Sequence, residues 1–343
     1  MGEAPQTWRE LVLLSRASRA RAISSAAAVG GAGLVGAGGA VYGLLLGQAA
    51  LARRRIGTAT EPPPDPNARY GHGSAEPIRL ALLGDSGAAG FGVDTADQTT
   101  GALIASGLAI ALKRPVDLHS VAVVGAQSGD LAEQVQQVLP RRPHAAVIMI
   151  GANDVTHKVT PGRSVALLSD AVSTLRSADV EVVVGTCPDL GTVRPIPHPL
   201  KWVARRWSRS LAAAQTVAVV EGGGRSVAIA DLLGREFDAH PDRMFGPDRF
   251  HPSPDGYRAL AEALVPSLHA ALTHVSTAEW AAAATEFLAV DRAAVAAAEV
   301  GGSEVVAAGA EQQLTRWGQR TLGAVLRLRG RPQPVPTETA DQV

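Results

Sequence analysis

The stretch IRLALLGDSG, residues 78–87, decides how the chain is organised. Five of its first six residues are apolar, and an apolar run of this length before a glycine is typical of a buried β-strand. The polar residues Asp85 and Ser86 follow at the point where the strand should end and a helix should begin. The stretch therefore predicts a buried strand that presents polar side chains at its carboxyl end.

Outward from this strand, short apolar runs alternate with longer helical patterns. The predicted strands are Ile78–Leu83, Val116–Val124, Ala145–Ile150, Val180–Thr186 and Val227–Ile229. The predicted helices are Thr99–Leu112, Leu131–Leu139, Ser164–Ser177, Trp202–Val220 and Asp255–Leu272. Because strands that alternate with helices indicate βαβ units, we expect an α/β fold: a three-layer α/β/α sandwich around a mainly parallel, five-stranded sheet.

The rest of the chain divides by composition. We expect an N-terminal arm and hydrophobic helix over residues 1–55, a Pro-rich linker over 56–77 and the α/β domain over 78–274. Residues 275–343 lose the strand alternation and predict an Ala-rich helical extension, with helices over Thr277–Val300 and Glu311–Arg331 and a disordered tail.

The N-terminal apolar run has no charged side chain from Ala22 to Ala52. It exceeds the ~20 apolar residues that a helix needs to cross a bilayer. Three interpretations stay open: an uncleaved anchor, a long signal peptide cleaved after residues 50–52, and an Ala/Gly-rich soluble helix. We expect a membrane-anchored or exported protein, with the α/β domain outside the cytoplasm. The sequence leaves the oligomeric state open.

Composition excludes several classes of function. The 32 basic and 32 acidic side chains give a formal net charge of zero, so we expect no nucleic-acid partner. Cys187 is the single cysteine, which excludes an internal disulfide and a cysteine-type zinc site. We interpret it as a small buried side chain at a strand end. The histidines lack metal-ligand spacing, and we expect no metal.

Four polar segments follow predicted strands or precede the last helix of the domain. They are Gly84-Asp85-Ser86-Gly87, the glycine Gly125, Gly151-Ala152-Asn153-Asp154, and Asp248-Arg249-Phe250-His251. Ligands of parallel sheets bind beyond the carboxyl ends of the strands, which is where these segments fall. Each segment alone is ordinary turn chemistry, and only their order and placement indicate a site.

The residue types in these segments suit acyl transfer. A serine at a strand-to-helix junction can expose its hydroxyl, and His251 can accept its proton. A carboxylate three residues earlier, Asp248, can hold the imidazole in one tautomer. The N–H groups of Ser86 and Gly125 and the side-chain amide of Asn153 are candidate donors to an oxyanion.

In this order, the four segments resemble the conserved blocks of the SGNH (GDSL) hydrolase family. The resemblance covers roughly residues 78–272 and, within the family, is greatest to exported or membrane-anchored actinobacterial (mycobacterial) esterases. Gly87 stands where the family often has a bulky residue, and Ser120 stands where it often has Asn before the second block. Neither departure removes a catalytic group.

The resemblance implies an esterase or lipase that acts on a small-molecule, lipid or cell-envelope ester without a cofactor. It implies a triad of Ser86, His251 and Asp248 with an acyl-enzyme intermediate, and an oxyanion hole of Ser86, Gly125 and Asn153. Further substrate contacts are expected at Asp85, Gly87, His157 and Leu190. Two alternatives stay open: an acyltransferase that uses the same triad, and a non-catalytic binding module of this fold at the membrane.

Overall fold

The computed structural model describes residues 41–52, 54–55, 61–230, 232–273, 286–299, 304–307 and 323–327. The chain divides into two compact units, Met1–Arg54 and Arg55–Val343, which are described separately. In the first unit, residues 41–52 form helix α1. No helix in the described ranges is both long and apolar enough to cross a bilayer. Most of the apolar run from Ala22 lies outside these ranges, so the anchor and signal interpretations stay predictions.

The second unit is built on a mixed sheet of nine strands. They are β1 Arg69–Tyr70, β2 Ile78–Gly84, β3 Val116–Ser120, β4 Ala145–Met149, β5 Glu181–Gly185, β6 Arg225–Val227, β7 Glu286–Ala289, β8 Glu304–Ala307 and β9 Gly323–Arg327. Their spatial order is β1-β3-β2-β4-β5-β6-β8-β9-β7. The five strands from β3 to β6 in this order run parallel, and the flanking strands pair antiparallel. The α/β class is confirmed, whereas the prediction of five strands is wrong.

Helices cover both faces of the parallel block. After α1 they are α2 Ser86–Ala89, α3 Thr100–Leu112, α4 Leu131–Val138, α5 Ala152–Thr156, α6 Pro161–Ser177, α7 Leu200–Glu221, α8 Leu232–Ala239, α9 Pro241–Met244, α10 Pro254–Leu272 and α11 Val290–Glu299. Because alternate side chains of a strand point to opposite faces, Leu80 and Leu82 pack with α3 and α10, while Ala81 and Leu83 pack with α4 and α6. Burying each leucine contributes roughly 2 kcal/mol. The three-layer arrangement follows from this alternation.

The predicted helical C-terminal extension is only partly helical. Helix α11 falls within the predicted helix Thr277–Val300, but β7 and β8 are strands, and β9 lies inside the stretch Glu311–Arg331 that the sequence predicts as a helix. The extension forms strands because the parallel block ends at β6, which would otherwise leave backbone N–H and C=O groups unpaired at its edge. Strand β8 pairs antiparallel with that edge. Glu304 on β8 strengthens the junction, because it accepts hydrogen bonds from Arg225 (3.1 Å) and Ser267 (2.7 Å). The predicted disordered tail lies outside the described residues.

The segment before β2, predicted as a linker, also contributes to the sheet. Its strand β1 pairs antiparallel with β3. Arg69 donates two hydrogen bonds, of 2.6 and 2.9 Å, to the Asp117 carboxylate, and the Tyr70 hydroxyl donates to the carbonyl of Pro66 (2.7 Å). Residues 66–70 are therefore held against the edge of the sheet.

Candidate active site

The chain leaves strand β2 through a turn that requires glycine at position 84. Gly84 has φ +137°, and a Cβ atom there would lie 1.9 Å from the carbonyl oxygen of Met149 on β4. The N–H of Asp85 donates to the same oxygen at 3.0 Å. Both backbone groups of Gly84 bond the buried amide of Gln134, at 2.7 and 3.0 Å. The turn makes Ser86 the first residue of α2, at the carboxyl edge of the sheet.

The structure brings the side chains of Ser86, His251 and Asp248 into one hydrogen-bonded line. Ser86 Oγ lies 3.0 Å from His251 Nε2, and His251 Nδ1 lies 2.6 Å from Asp248 Oδ2. The ring therefore presents one nitrogen to the carboxylate and the other to the hydroxyl. This is the geometry in which a histidine can take the serine proton while the carboxylate holds its tautomer.

A short loop before α10 holds this histidine and aspartate. Asp248 Oδ1 accepts from the N–H groups of Phe250 (2.9 Å) and His251 (3.0 Å). Burial alone would raise the pKa of the Asp248 carboxyl, but hydrogen bonds from the His251 ring and the two N–H groups outweigh burial and lower the pKa. The carboxylate is thus kept ionised where it can stabilise an imidazolium.

Two aromatic rings that the sequence interpretation missed pack against His251. Phe91 and Phe250 make edge-to-face contacts with the imidazole, at centroid distances of 4.7 and 4.8 Å. The Phe91 carbonyl in turn accepts a hydrogen bond of 2.7 Å from the buried Tyr257 hydroxyl on α10. The adjacency of Phe250 to His251 was a signal in the sequence, but nothing local pointed to Phe91, which is 160 residues away in the chain. The rings limit how far the imidazole can turn.

Two of the three predicted oxyanion segments, those of Gly125 and Asn153, contact each other. Gly125 has φ +87°, a conformation that favours glycine, and Asn153 lies in the first turn of α5. Asn153 Nδ2 donates to the carbonyl of Ala126 at 3.0 Å, which ties the loop of α5 to the residue after Gly125. A primary amide carries two N–H groups, and this bond uses one of them. The contact supports the predicted pairing of these segments, while their role stays a prediction.

Asp154, next to Asn153, holds this loop from behind. Its carboxylate is fully buried and accepts from the Ser128 N–H (3.1 Å) and from the hydroxyls of Ser128 (2.6 Å) and Ser164 (3.1 Å). The sequence showed Asp154 beside Asn153 but gave no sign of its serine partners. Because all three partners come from other segments, they position α5 against the loop after β3.

A small cavity of about 70 Å³ opens beside Ser86. Its walls include Ser86, His251 and three of the predicted substrate contacts: Asp85, Gly87 and Leu190. Most of the remaining walls are apolar or backbone: Met149, Ile150, Ala152, Pro188, Val193, Ile229, Phe245, Phe250, Pro252 and Leu260. The cavity thus offers the serine hydroxyl a small, mostly apolar space.

Asp85 caps α2 in addition to lining this cavity. Its Oδ1 accepts from the N–H of Gly87 at 2.9 Å, which satisfies one of the free donors at the helix start. Burial raises the pKa of the Asp85 carboxyl to about 6, against the lowering effect of the Gly87 hydrogen bond. The structure therefore supports a positioning role for Asp85, in addition to the substrate contact that the sequence predicts.

His157, the fourth predicted substrate contact, does not line the cavity. It ends α5 with an exposed side chain, and its Nδ1 lies 2.9 Å from the carbonyl oxygen of Asn153. Cys187 is fully buried just after β5, as interpreted, and burial raises its pKa well above the usual value. In the part of the chain that the structure describes, no group of three or more His, Cys, Asp or Glu side chains could hold a metal ion.

Comparisons with known proteins identify the family of the chain. Residues 82–259 match the GDSL-like lipase/acylhydrolase family. The chain is 40% identical over 265 residues to the GDSL-like esterase Rv1075c of Mycobacterium tuberculosis (strain ATCC 25618 / H37Rv). This match covers 73% of this chain and 84% of the relative. The family match at residues 82–259 includes all four predicted segments.

The chain also has weaker similarity to solved structures. LAE5, an alpha/beta hydrolase enzyme from the metagenome of Lake Arreo, Spain, is 21% identical with a TM-score of 0.47, and the match covers 57% of this chain and 96% of LAE5. A variant of Axe2, an acetyl xylan esterase from Geobacillus stearothermophilus, is 18% identical with a TM-score of 0.45, covering 56% of this chain and 94% of Axe2. Neither structure bears on the substrate of this chain.

Proposed function

As a member of the GDSL-like lipase/acylhydrolase family this chain is a carboxylic ester hydrolase, and we propose that it works through an acyl-enzyme on Ser86. The observation that carries the proposal is the line of hydrogen bonds from Ser86 Oγ through the His251 ring to Asp248. A half-buried carboxylate, an oriented imidazole and a hydroxyl at a helix start are the parts that nucleophilic acyl transfer needs.

In the first half-reaction, Ser86 Oγ attacks the ester carbonyl while its proton moves to His251 Nε2. The new Oγ–C bond gives a tetrahedral intermediate with a negative oxygen. When this intermediate collapses, the C–O bond to the alcohol breaks, and the alcohol takes the proton from His251. Asp248, which stays ionised, stabilises the imidazolium that exists between these two transfers.

In the second half-reaction, water replaces the alcohol. It gives a proton to His251 and its oxygen attacks the acyl carbon. The bond from that carbon to Ser86 Oγ then breaks, and the proton returns to the serine. The free acid leaves, and the enzyme is restored without a cofactor.

The negative oxygen of both intermediates needs hydrogen-bond donors. We assign this role to the N–H groups of Ser86 and Gly125 and to the free N–H of the Asn153 amide. The contact between Asn153 and the Ala126 carbonyl supports this assignment, because it fixes the amide relative to the loop of Gly125. Fixed donors stabilise developing charge without reorganisation in the transition state.

The size of the cavity supports short acyl groups as substrates. A space of about 70 Å³ beside Ser86, with mostly apolar walls, suits a chain of a few carbon atoms. The proposal includes a lipid or cell-envelope ester if only the acyl end of that ester has to enter the cavity. Membrane association and a location outside the cytoplasm stay predictions.

The test of the nucleophile is covalent labelling. We expect one fluorophosphonate molecule to bind per chain, and peptide mass spectrometry to place it on Ser86. An excess of a short-chain ester should slow the labelling, since both compete for the same hydroxyl. A label on another residue, or none while esters are turned over, would contradict the proposal.

Replacing Asn153 with alanine tests the oxyanion assignment. We expect kcat to fall by roughly 10²-fold or more, because one donor to the transition-state oxygen is lost, while KM changes by less than about threefold. Steady-state kinetics on p-nitrophenyl butanoate would measure both constants. Thr156→Ala, on the same helix, is the control and should keep its kcat. A change confined to KM would show that Asn153 binds the ground state instead.

A further inference from the structure

Thr186 follows strand β5 and lines the cavity beside Ser86. Its N–H donates to the Val227 carbonyl at 3.0 Å, so its backbone is fixed to β6. The residue is only 1% exposed, yet its Oγ1 has no hydrogen-bond partner among the described residues. Buried polar groups in folded proteins are nearly always paired, so an unpaired hydroxyl on a residue that lines a cavity is available to a bound molecule.

The other polar side chains of the cavity already have partners. Ser86 and His251 bond each other, and Asp85 accepts from the Gly87 N–H. Asp189 accepts from the N–H of Gly191 at 2.7 Å, and Arg209 donates to it at 2.9 Å. In the described part of the chain, Thr186 thus has the one buried side-chain oxygen of this cavity that is left for a bound molecule.

The position of the cavity indicates which part of an ester it holds. In the proposed reaction, the acyl group stays on Ser86 while the alcohol leaves and water enters. Thr186, Leu190, Val193 and Ile229 are at most 3% exposed, so they form the inner wall of the cavity, away from bulk solvent. An acyl chain can lie against this wall without blocking the entry of water.

The charge of the walls indicates the chemistry of that chain. No lysine or arginine is among the residues that line the cavity, so an anionic chain would find no counter-charge. A hydroxyl can donate to a neutral oxygen, and a site with a buried hydroxyl rejects analogues that leave it unpaired. An ether or hydroxyl oxygen within a short chain fits both conditions.

We propose that Thr186 is a specificity-determining residue whose hydroxyl donates to an oxygen in the acyl chain, so that short oxygen-substituted acyl groups are preferred over hydrocarbon chains of equal length. The proposal rests on the acyl-enzyme reaction at Ser86. It adds a substrate class, namely short alkoxyacyl or hydroxyacyl esters.

Two matched pairs of p-nitrophenyl esters test this preference. Butanoate is compared with methoxyacetate, and pentanoate with 3-methoxypropanoate, so that one CH₂ becomes an oxygen at two depths. The selectivity is the ratio of kcat/KM for the oxygen ester to that for its hydrocarbon match. Comparing this ratio between wild type and variants cancels the intrinsic reactivity of the esters.

Thr186→Val keeps the shape of the side chain and removes the hydroxyl. We expect it to lower the selectivity by roughly tenfold or more in at least one pair. Thr186→Ser keeps the hydroxyl and should stay within about threefold of wild type. Thr186→Val should fold with an unchanged or higher Tm, because it replaces an unpaired buried hydroxyl. Thr186→Ala provides a second variant without the hydroxyl.

The outcomes separate this proposal from the proposed function. Equal selectivity in wild type and Thr186→Val for both pairs overturns the role of Thr186, as does a wild type that fails to hydrolyse the oxygen esters. If butanoate turnover still depends on Ser86 in those cases, the acyl-enzyme reaction stands. If no ester is hydrolysed at Ser86, the proposed function is wrong, and the role of Thr186 is wrong with it.

Discussion

Ser86→Ala is expected to abolish ester hydrolysis and to leave the fold unchanged. The variant lacks the oxygen that forms the acyl-enzyme, so the proton relay through His251 has nothing to activate. We expect kcat/KM to fall by roughly 10⁴-fold or more, since removing the nucleophile of such a triad costs about as much as removing all three members. Hydrolysis of p-nitrophenyl butanoate, followed at high enzyme concentration, would measure the residual rate.

The stability of this variant separates chemistry from folding. The variant loses one hydrogen bond to His251 and no apolar contact. We therefore expect the unfolding free energy to fall by about 1 kcal/mol, which lowers Tm by a few degrees. Ser177→Ala, at the exposed end of α6, is the matched control and should keep both activity and Tm. Retention of a tenth of the wild-type rate by Ser86→Ala would rule out the proposed nucleophile.

Gly84→Ala is expected to be strongly destabilising. A methyl group there would lie 1.9 Å from the Met149 carbonyl oxygen, and φ +137° is strained for any residue with a Cβ. Relief requires β2 and β4 to separate where both are buried. We expect the unfolding free energy to fall by about 3 kcal/mol or more, or a Tm decrease of roughly 6–12 °C.

The same substitution should also displace Ser86, which follows two residues later. Thermal and urea unfolding would measure the loss of stability, and the activity of any folded fraction would report the displacement. Gly162→Ala is the control, because a Cβ at Gly162 meets no atom within 4 Å. It should be neutral or stabilising, since alanine is the better helix former. A Gly84→Ala protein with wild-type Tm would show that this glycine is not required.

Much of the candidate site was predictable because its signals are local. Asp248 and His251 are three residues apart, and Ser86 lies two residues after the glycine that ends a buried strand. Their common edge follows from a general property of parallel sheets. The partners that hold these residues were not predictable: Phe91 packs on the histidine from 160 residues away, and Ser164 bonds Asp154 from another helix. Such pairs leave no periodic trace in the sequence.

The sequence by itself determined the parallel centre of the sheet, the order of the four segments and the hydroxyl–imidazole–carboxylate set. Apolar periodicity and turn chemistry act within a few residues, so they can be read directly from the chain. Only the tertiary structure decided that β8 extends the sheet beyond β6, that His157 lies outside the cavity and that Thr186 lies within it. These outcomes depend on which backbone edges remain unpaired and which side chains meet after packing, and both are set by contacts between residues far apart in the chain.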